Sequence, residues 1–231
     1  MVIARRRVTS SGNRTRLMGC FGQFRCFTAG RTAIRPYFLG RTMTDREKWD
    51  RGVAAVREEY AALSPLLRTR LKERSAAVKS RKKSLHSIVE AMGAGEICAE
   101  CRGECCDRGK NHVTVIDLLV YLSDDRQLFT PCFERDLCPY LGENGCLMEP
   151  EYRPYNCITF ICERVEGVLE PAEQERFYTV ERELRALCEG FEQLFDNRFR
   201  AGLLINCERD LVHNRSSILR GAALLSLQEG C

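Results

Sequence analysis

Four cysteines fall within nine residues, in the run Cys98-Ala-Glu-Cys101-Arg-Gly-Glu-Cys105-Cys106. Downstream stand Cys132, then Cys138 and Cys146 on either side of Glu143-Asn144-Gly145, then Cys157 and Cys162. Nine of the 14 cysteines therefore lie between positions 98 and 162. Thiolates are soft donors, and a C-x-x-C turn can bring two of them onto one ion while its backbone N–H groups point at sulfur. Gly103 permits a further turn that would return Cys105 to the same centre. Buried cysteines also serve as small hydrophobes, which suits Cys188 beside Leu187 on a helical face. Four thiols among charged neighbours are poor core material, so the cluster reads as thiolate-bound metal. Softness suits tetrahedral zinc and an iron–sulfur cluster equally. The spacing is neither the paired C-x-x-C of a zinc ribbon nor the bacterial ferredoxin run, so the choice of metal stays open. Of three histidines, His86, His112 and His213, only His112 lies near the cluster, six residues past Cys106. It is a candidate ligand or proton carrier, and equally an ordinary loop residue.

Metal takes precedence over disulfides because of the compartment. No apolar stretch has the length of a secretory signal or a membrane span, so the chain is expected in a reducing cytoplasm, where thiols stay reduced unless a metal holds them. The first 44 residues carry nine arginines and no acidic residue, whereas the whole chain is only +4. Everything after them is therefore net acidic, which argues against a general nucleic-acid binder. The acid-free start shares its composition with mitochondrial transit peptides, but glycines and Pro36 interrupt any amphipathic helix. Residues 1–43 read as an arginine-rich disordered arm or upstream extension.

The elements that must position the cysteines are mostly helical. Thr44-Asp45-Arg46-Glu47 is a capping box, followed by Trp49, Val53, Val56, Tyr60 and Leu63 at helical spacing. Ser64-Pro65 starts a second helix whose apolar positions are Leu67, Leu71, Val78, Leu85, Ile88, Val89 and Met92, stopped by Gly93 and Gly95. Together these are expected to form a helical hairpin over 44–95, or one kinked rod where the proline is absorbed. The second helix also carries Arg68, Arg70, Lys72, Arg74, Lys79, Arg81, Lys82 and Lys83. Without interleaved aromatics this run reads as a solvated face rather than a polyanion surface. The cysteine-cluster module spans 96–165, with one short helix over Ile116–Leu122 capped at Thr114. A C-terminal helical segment, 166–231, is expected to pack on that module; its helix starts at Pro171 and carries Phe177, Val180, Leu184, Leu187, Phe191, Leu194 and Phe195. Gly202 is expected to end that helix. The fold class is thus mostly α: a helical domain with an irregular, metal-stapled cysteine-rich module.

The CAECRGECC group, the VTVIDLL segment and CPYLGENGCLMEPEYRPYNC together resemble the YkgJ-type cysteine-cluster proteins, the CxxCxxCC family of zinc- or iron-chelating domains. The resemblance covers Cys98 to Cys162. Its most specific part is Cys138, Pro139, Leu141, Cys146, Arg153, Pro154 and Cys157 in order. It implies bound zinc or iron, the latter as a 4Fe-4S cluster in one version, with a ligand pool of Cys98, Cys101, Cys105, Cys106, Cys138, Cys146 and Cys157. The first motif departs from the family pattern, with three residues rather than two between Cys101 and Cys105. Cys132 and Cys162 lie outside the core pattern.

Three function classes follow. The first is a metal-binding protein, with Arg153, Tyr155 and Asn156 as outer-shell candidates. The second is an iron–sulfur enzyme, an oxidoreductase or, by analogy with the similar cysteine-rich region of some flagellin lysine methylases, a protein methyltransferase. No dinucleotide fingerprint, P-loop or catalytic triad supports a particular reaction. The third is an interaction protein whose helices grip a protein partner while the metal module braces them. A chain beginning at Met43 is expected to fold and bind metal as the full chain does, which soluble yield and metal content of the two forms, compared side by side, would check.

Overall fold

The computed structural model describes residues 42–101, 109–134, 138–142 and 145–220. They belong to a compact unit that begins at Thr42, and residues 1–41 lie outside it and outside the described residues. The architecture is mostly α. In chain order it contains α1 (Asp45–Ala61), α2 (Pro65–Glu90), α3 (Ala94–Cys101), α4 (Val115–Ser123), a hairpin of β1 (Leu141–Gly142) and β2 (Gly145–Cys146), α5 (Tyr155–Thr159), α6 (Glu163–Glu166), α7 (Pro171–Phe195) and α8 (Leu203–Asn206). A π-helical turn, Cys207–His213, follows α8 directly.

Local capping starts the main helices where the sequence says they start. Thr44 and Glu47 close a full capping box on α1. Ser64 accepts from the Leu67 N–H, with Pro65 at the first position of α2. Pro171 opens α7. That helix stops earlier than Gly202: its last residue is Phe195, and Asp196 takes the left-handed conformation at its C-cap, with φ of 47°. Gly202, with φ of 90°, instead leads into α8.

The core is organised around α4, which is buried on nearly every side. α1 packs on α4, α8 and the π turn, whereas α2 packs on α7, α4 and a 3-10 turn at Pro150–Tyr152. The two helices expected over 44–95 thus make their larger contacts with other elements. α1 and α2 each turn their apolar faces to other elements. The physical reason lies in the stripe of α2. Its buried residues are Leu67, Leu71, Ser75, Val78, Lys82, Leu85 and Ile88, so two polar residues complete a helical face that the apolar pattern leaves gapped.

Both polar residues meet α4. The Ser75 hydroxyl donates to Ser123 at 3.2 Å, and Ser123 donates to the Leu119 carbonyl at 2.7 Å. Lys82 Nζ donates to Asp117 Oδ1 at 2.8 Å, with the two side chains 1% and 3% exposed. The other oxygen of Asp117, Oδ2, accepts from the Thr114 N–H at 2.9 Å and the Thr114 hydroxyl at 2.7 Å. Asp117 thus caps α4 and neutralises a buried ammonium with the same carboxylate. The basic run of α2 is correspondingly not a purely solvated face. Lys79 pairs with Asp124, Arg81 with Glu183 at 2.7 Å and Lys83 with Glu151 at 3.0 Å. Burial raises the carboxyl pKa of Asp124, but hydrogen bonds from Lys79 and Tyr152 outweigh it and hold the group below its ordinary value.

Removing one partner of a buried ion pair leaves an uncompensated charge in the interior. Lys82→Met is expected to cost about 3–5 kcal/mol in chemical denaturation. Lys83→Ala, at a lysine 64% exposed, should cost under about 1 kcal/mol.

Candidate metal centre

The backbone that leaves the first cysteine group re-enters the described structure at Gly109, and it does so against Cys138. A Cβ at Gly109 would overlap the Cys138 sulfur and touch its Cβ. Only glycine allows the two chains to approach this closely. A 3-10 turn, Gly109–Asn111, then carries the chain to His112, whose N–H donates to the Gly109 carbonyl at 2.9 Å.

This short strut is held from several sides. Tyr140 O–H donates to the Lys110 carbonyl at 3.0 Å. Lys110 Nζ pairs with Asp45 at the start of α1, at 2.8 Å. The Asn111 carbonyl lies where a Cβ on Gly202 would sit. The Leu203 N–H donates to the Val113 carbonyl at 2.7 Å. Tyr140 is itself buried in an aromatic cluster, 5.6 Å from Trp49 and 5.4 Å from Phe129 between ring centroids. Its phenol is pushed up by burial, and the neighbouring Cys138 and Cys157 push in the same direction.

Cys138 and Cys146 flank the β1–β2 hairpin, in which Leu141 faces Cys146 and Gly142 faces Gly145. That register fits the tight turn expected at Glu143-Asn144-Gly145, though residues 143 and 144 lie outside the described residues. The Leu141 N–H donates to the Cys138 carbonyl at 3.0 Å and the Leu147 N–H to the Tyr140 carbonyl at 2.9 Å. Cys138 is buried, and burial raises its thiol pKa against the hydrogen bond from the Tyr140 backbone, with Cys146 adding to the rise. Cys146 is exposed. Cys157 lies half-buried on α5, which opens after Pro154, and its sulfur stands 3.2 Å from His112 Nδ1. Cys138, Cys157 and the strut 109–113 therefore meet in one region.

The first cysteine group is only partly described. Cys98 is exposed on α3, and Cys101 is the last residue of that helix. The C-x-x-C pair is helical rather than a turn, because Gly93, at φ of 77°, ends the preceding helix and frees Ala94–Cys101 to start another. Cys105 and Cys106 lie outside the described residues. α3 packs on α6, and Arg164 NH2 reaches Glu100 at 2.5 Å, one residue from Cys101. Among the described residues, no three His, Cys, Asp or Glu side chains are grouped closely enough to hold an ion.

Comparison with models of protein families, with curated proteins and with solved structures found no match. Among the described residues, no helix is long and apolar enough to cross a membrane.

The remaining candidates take other positions. Cys132 Sγ contacts Glu134 at 3.4 Å, and Cys162 is the N-cap residue of α6. Arg153 Nε donates to the Met148 carbonyl at 3.3 Å. The Tyr155 hydroxyl donates to Glu181, and burial with that carboxylate pushes its pKa up to about 12. Asn156 lines a small cleft with Thr114, Tyr155, Arg185 and Arg200. Cys188 is buried as expected, and its thiol is pushed up to about 12 by burial. Sequence reasoning missed Gly109 and Tyr140, which bring the strut onto Cys138. The available signals were a glycine three residues past Cys106 and an aromatic inside the Cys-Pro-x-Leu motif.

Gly109→Ala is expected to cost about 1–3 kcal/mol, as small-to-large changes in packed sites do. Gly95→Ala meets only the flexible end of Glu90 and should leave stability at or above wild type. Thermal melting of the two variants checks the contrast.

Proposed function

We propose that this protein binds zinc or iron through clustered cysteine thiolates drawn from Cys98, Cys101, Cys105, Cys106, Cys138, Cys146 and Cys157, an iron site taking the form of an iron–sulfur cluster. The observation that carries this reading is the approach of Gly109 to Cys138 together with that of His112 to Cys157. Gly109, close after the first cysteine group in sequence, thereby stands against a cysteine of the second. Cys106 precedes Gly109 by three residues, a tether of at most roughly 11 Å when fully extended. The donor chemistry fits a soft or borderline metal, since sulfur donors dominate and one imidazole stands beside them.

In this reading the chain's own residues do three things. Cys138 is buried in the same core as the aromatic cluster around Tyr140, which limits its contact with water. Gly109 lets the strut close over that sulfur. The α5 helix presents Cys157 at a fixed distance from His112. Bound metal would supply either a structural cross-link or a redox centre. The reducing, cytoplasmic setting inferred from cysteine usage belongs to this same proposal, because reduced thiols are free to take metal there.

Anaerobic purification followed by metal and labile-sulfide analysis tests the reading. Stoichiometric zinc in a colourless protein supports the zinc form. Iron with sulfide and visible charge-transfer absorption supports the cluster form. Protein lacking both metals overturns the proposal.

A mutational contrast follows. Cys101→Ser and Cys157→Ser are expected to lose most of the bound metal and melt lower, because metal-binding free energy is coupled to folding. Cys188→Ala should keep its metal and lose about 1 kcal/mol from a trimmed, buried side chain. Metal content and melting of the three variants in parallel provide the check.

A further inference from the structure

We infer that His112 is itself a metal ligand, through Nδ1, and that the centre is a mixed thiolate–imidazole site rather than an all-cysteine one. This deepens the metal-binding reading above and rests on it. His112 is the only histidine between positions 96 and 165. Its Nδ1 stands 3.2 Å from Cys157 Sγ. A tetrahedral ion with metal–sulfur bonds of about 2.3 Å and metal–nitrogen bonds of about 2.0–2.1 Å separates two such donors by roughly 3.6 Å. The pair therefore needs to open by only a few tenths of an ångström to share an ion.

The position of His112 is set by the fold and not by the site alone. Its own N–H is fixed to Gly109, the carbonyl of the next residue, Val113, is fixed by Leu203, and Thr114 immediately after is locked into the cap of α4. The imidazole is thus carried by a backbone pinned on both sides, three residues from the glycine that contacts Cys138. Rigid placement of a donor beside a half-buried thiol is what a metal site requires of its protein, since little ordering cost then remains for binding. On binding, the Cys157 thiol loses its proton to solvent and the neutral imidazole offers its Nδ1 lone pair, so charge and atoms balance without a further reactant.

The test is X-ray absorption at the edge of the metal carried by the untagged, full-length protein. The wild type should show sulfur scattering together with the outer-shell scattering of one imidazole. His112→Ala should lose the imidazole signature and bind that same metal at least about tenfold more weakly, no less than loss of a ligand-orienting partner costs. Sulfur-only scattering in the metal-loaded wild type overturns this inference and leaves the cysteine-site reading standing. An imidazole signal that persists in His112→Ala does the same. Wild-type protein without metal overturns both. Should His112→Ala fail to fold, the double variant His86→Ala/His213→Ala retains His112 as the sole histidine. Imidazole scattering kept in that protein supports the assignment, and its loss refutes it.

Discussion

Lys82 and Asp117 face each other at 2.8 Å in the interior, and the placement of α4 follows from that contact. Desolvating two charges is costly unless the remaining donors and acceptors are met. Here the carboxylate divides its oxygens, Oδ1 to the ammonium and Oδ2 to both donors of Thr114. A second polar contact, Ser75 to Ser123, lies seven residues earlier on α2 and six residues later on α4. The two contacts run in opposite directions along the helices, so they fix an antiparallel register. Apolar stripes alone tolerate a slide by one turn, but such a slide would strand a buried lysine and a buried aspartate. The pair therefore contributes specificity of alignment more than net stability.

That alignment reaches the cysteine region through very few residues. Thr114, bonded to Asp117, is two positions past His112. Once α4 is seated, the strut that carries His112 has one end fixed. The other end is fixed by Gly109 against Cys138, and the middle by Tyr140 and by Leu203 of α8. Tyr140 in turn belongs to the cluster of Trp49, Phe129 and Tyr121, which draws the irregular chain after α4 onto α1. Irregular backbone with little regular hydrogen bonding is here anchored by aromatic burial and single backbone bonds.

The helix starts after Thr44, Ser64 and Thr114 were legible because capping is chemistry among residues three apart, and the start of α7 because Pro171 is preset for a first helical position. The end of α7 was not, since Asp196 adopts a left-handed cap that glycine would have signalled more plainly. The buried role of Lys82 was hidden inside a run of eight basic residues. Its position in the helical stripe, between Val78 and Leu85, marked it, but the partner lies 35 residues away and only packing reveals it. The cysteine clustering is visible in the sequence, whereas the contact of Gly109 with Cys138 is a consequence of tertiary approach. The helical form of Ala94–Cys101 escaped because two glycines, Gly93 and Gly95, read as a stop. Gly93 does stop α2, and the next helix begins immediately after it.

The arrangement also bears on what a metal would do for this chain. In zinc-finger peptides the metal supplies about 10–16 kcal/mol, nearly all of the folding free energy, because there is little else to bury. This protein has a continuous hydrophobic core reaching from Trp49 to Leu219, and Cys138, Tyr140, Met148, Tyr152 and Ile158 of the cysteine region are part of it. Val113 and Tyr140 hold the strut from the core side, independently of any ion. Under the proposed metal reading, Cys138 is the described candidate ligand that belongs to this core, and a donor held by packing lowers the ordering cost of metal capture. In that reading, binding free energy that the core does not need for folding would be available to set affinity or redox potential.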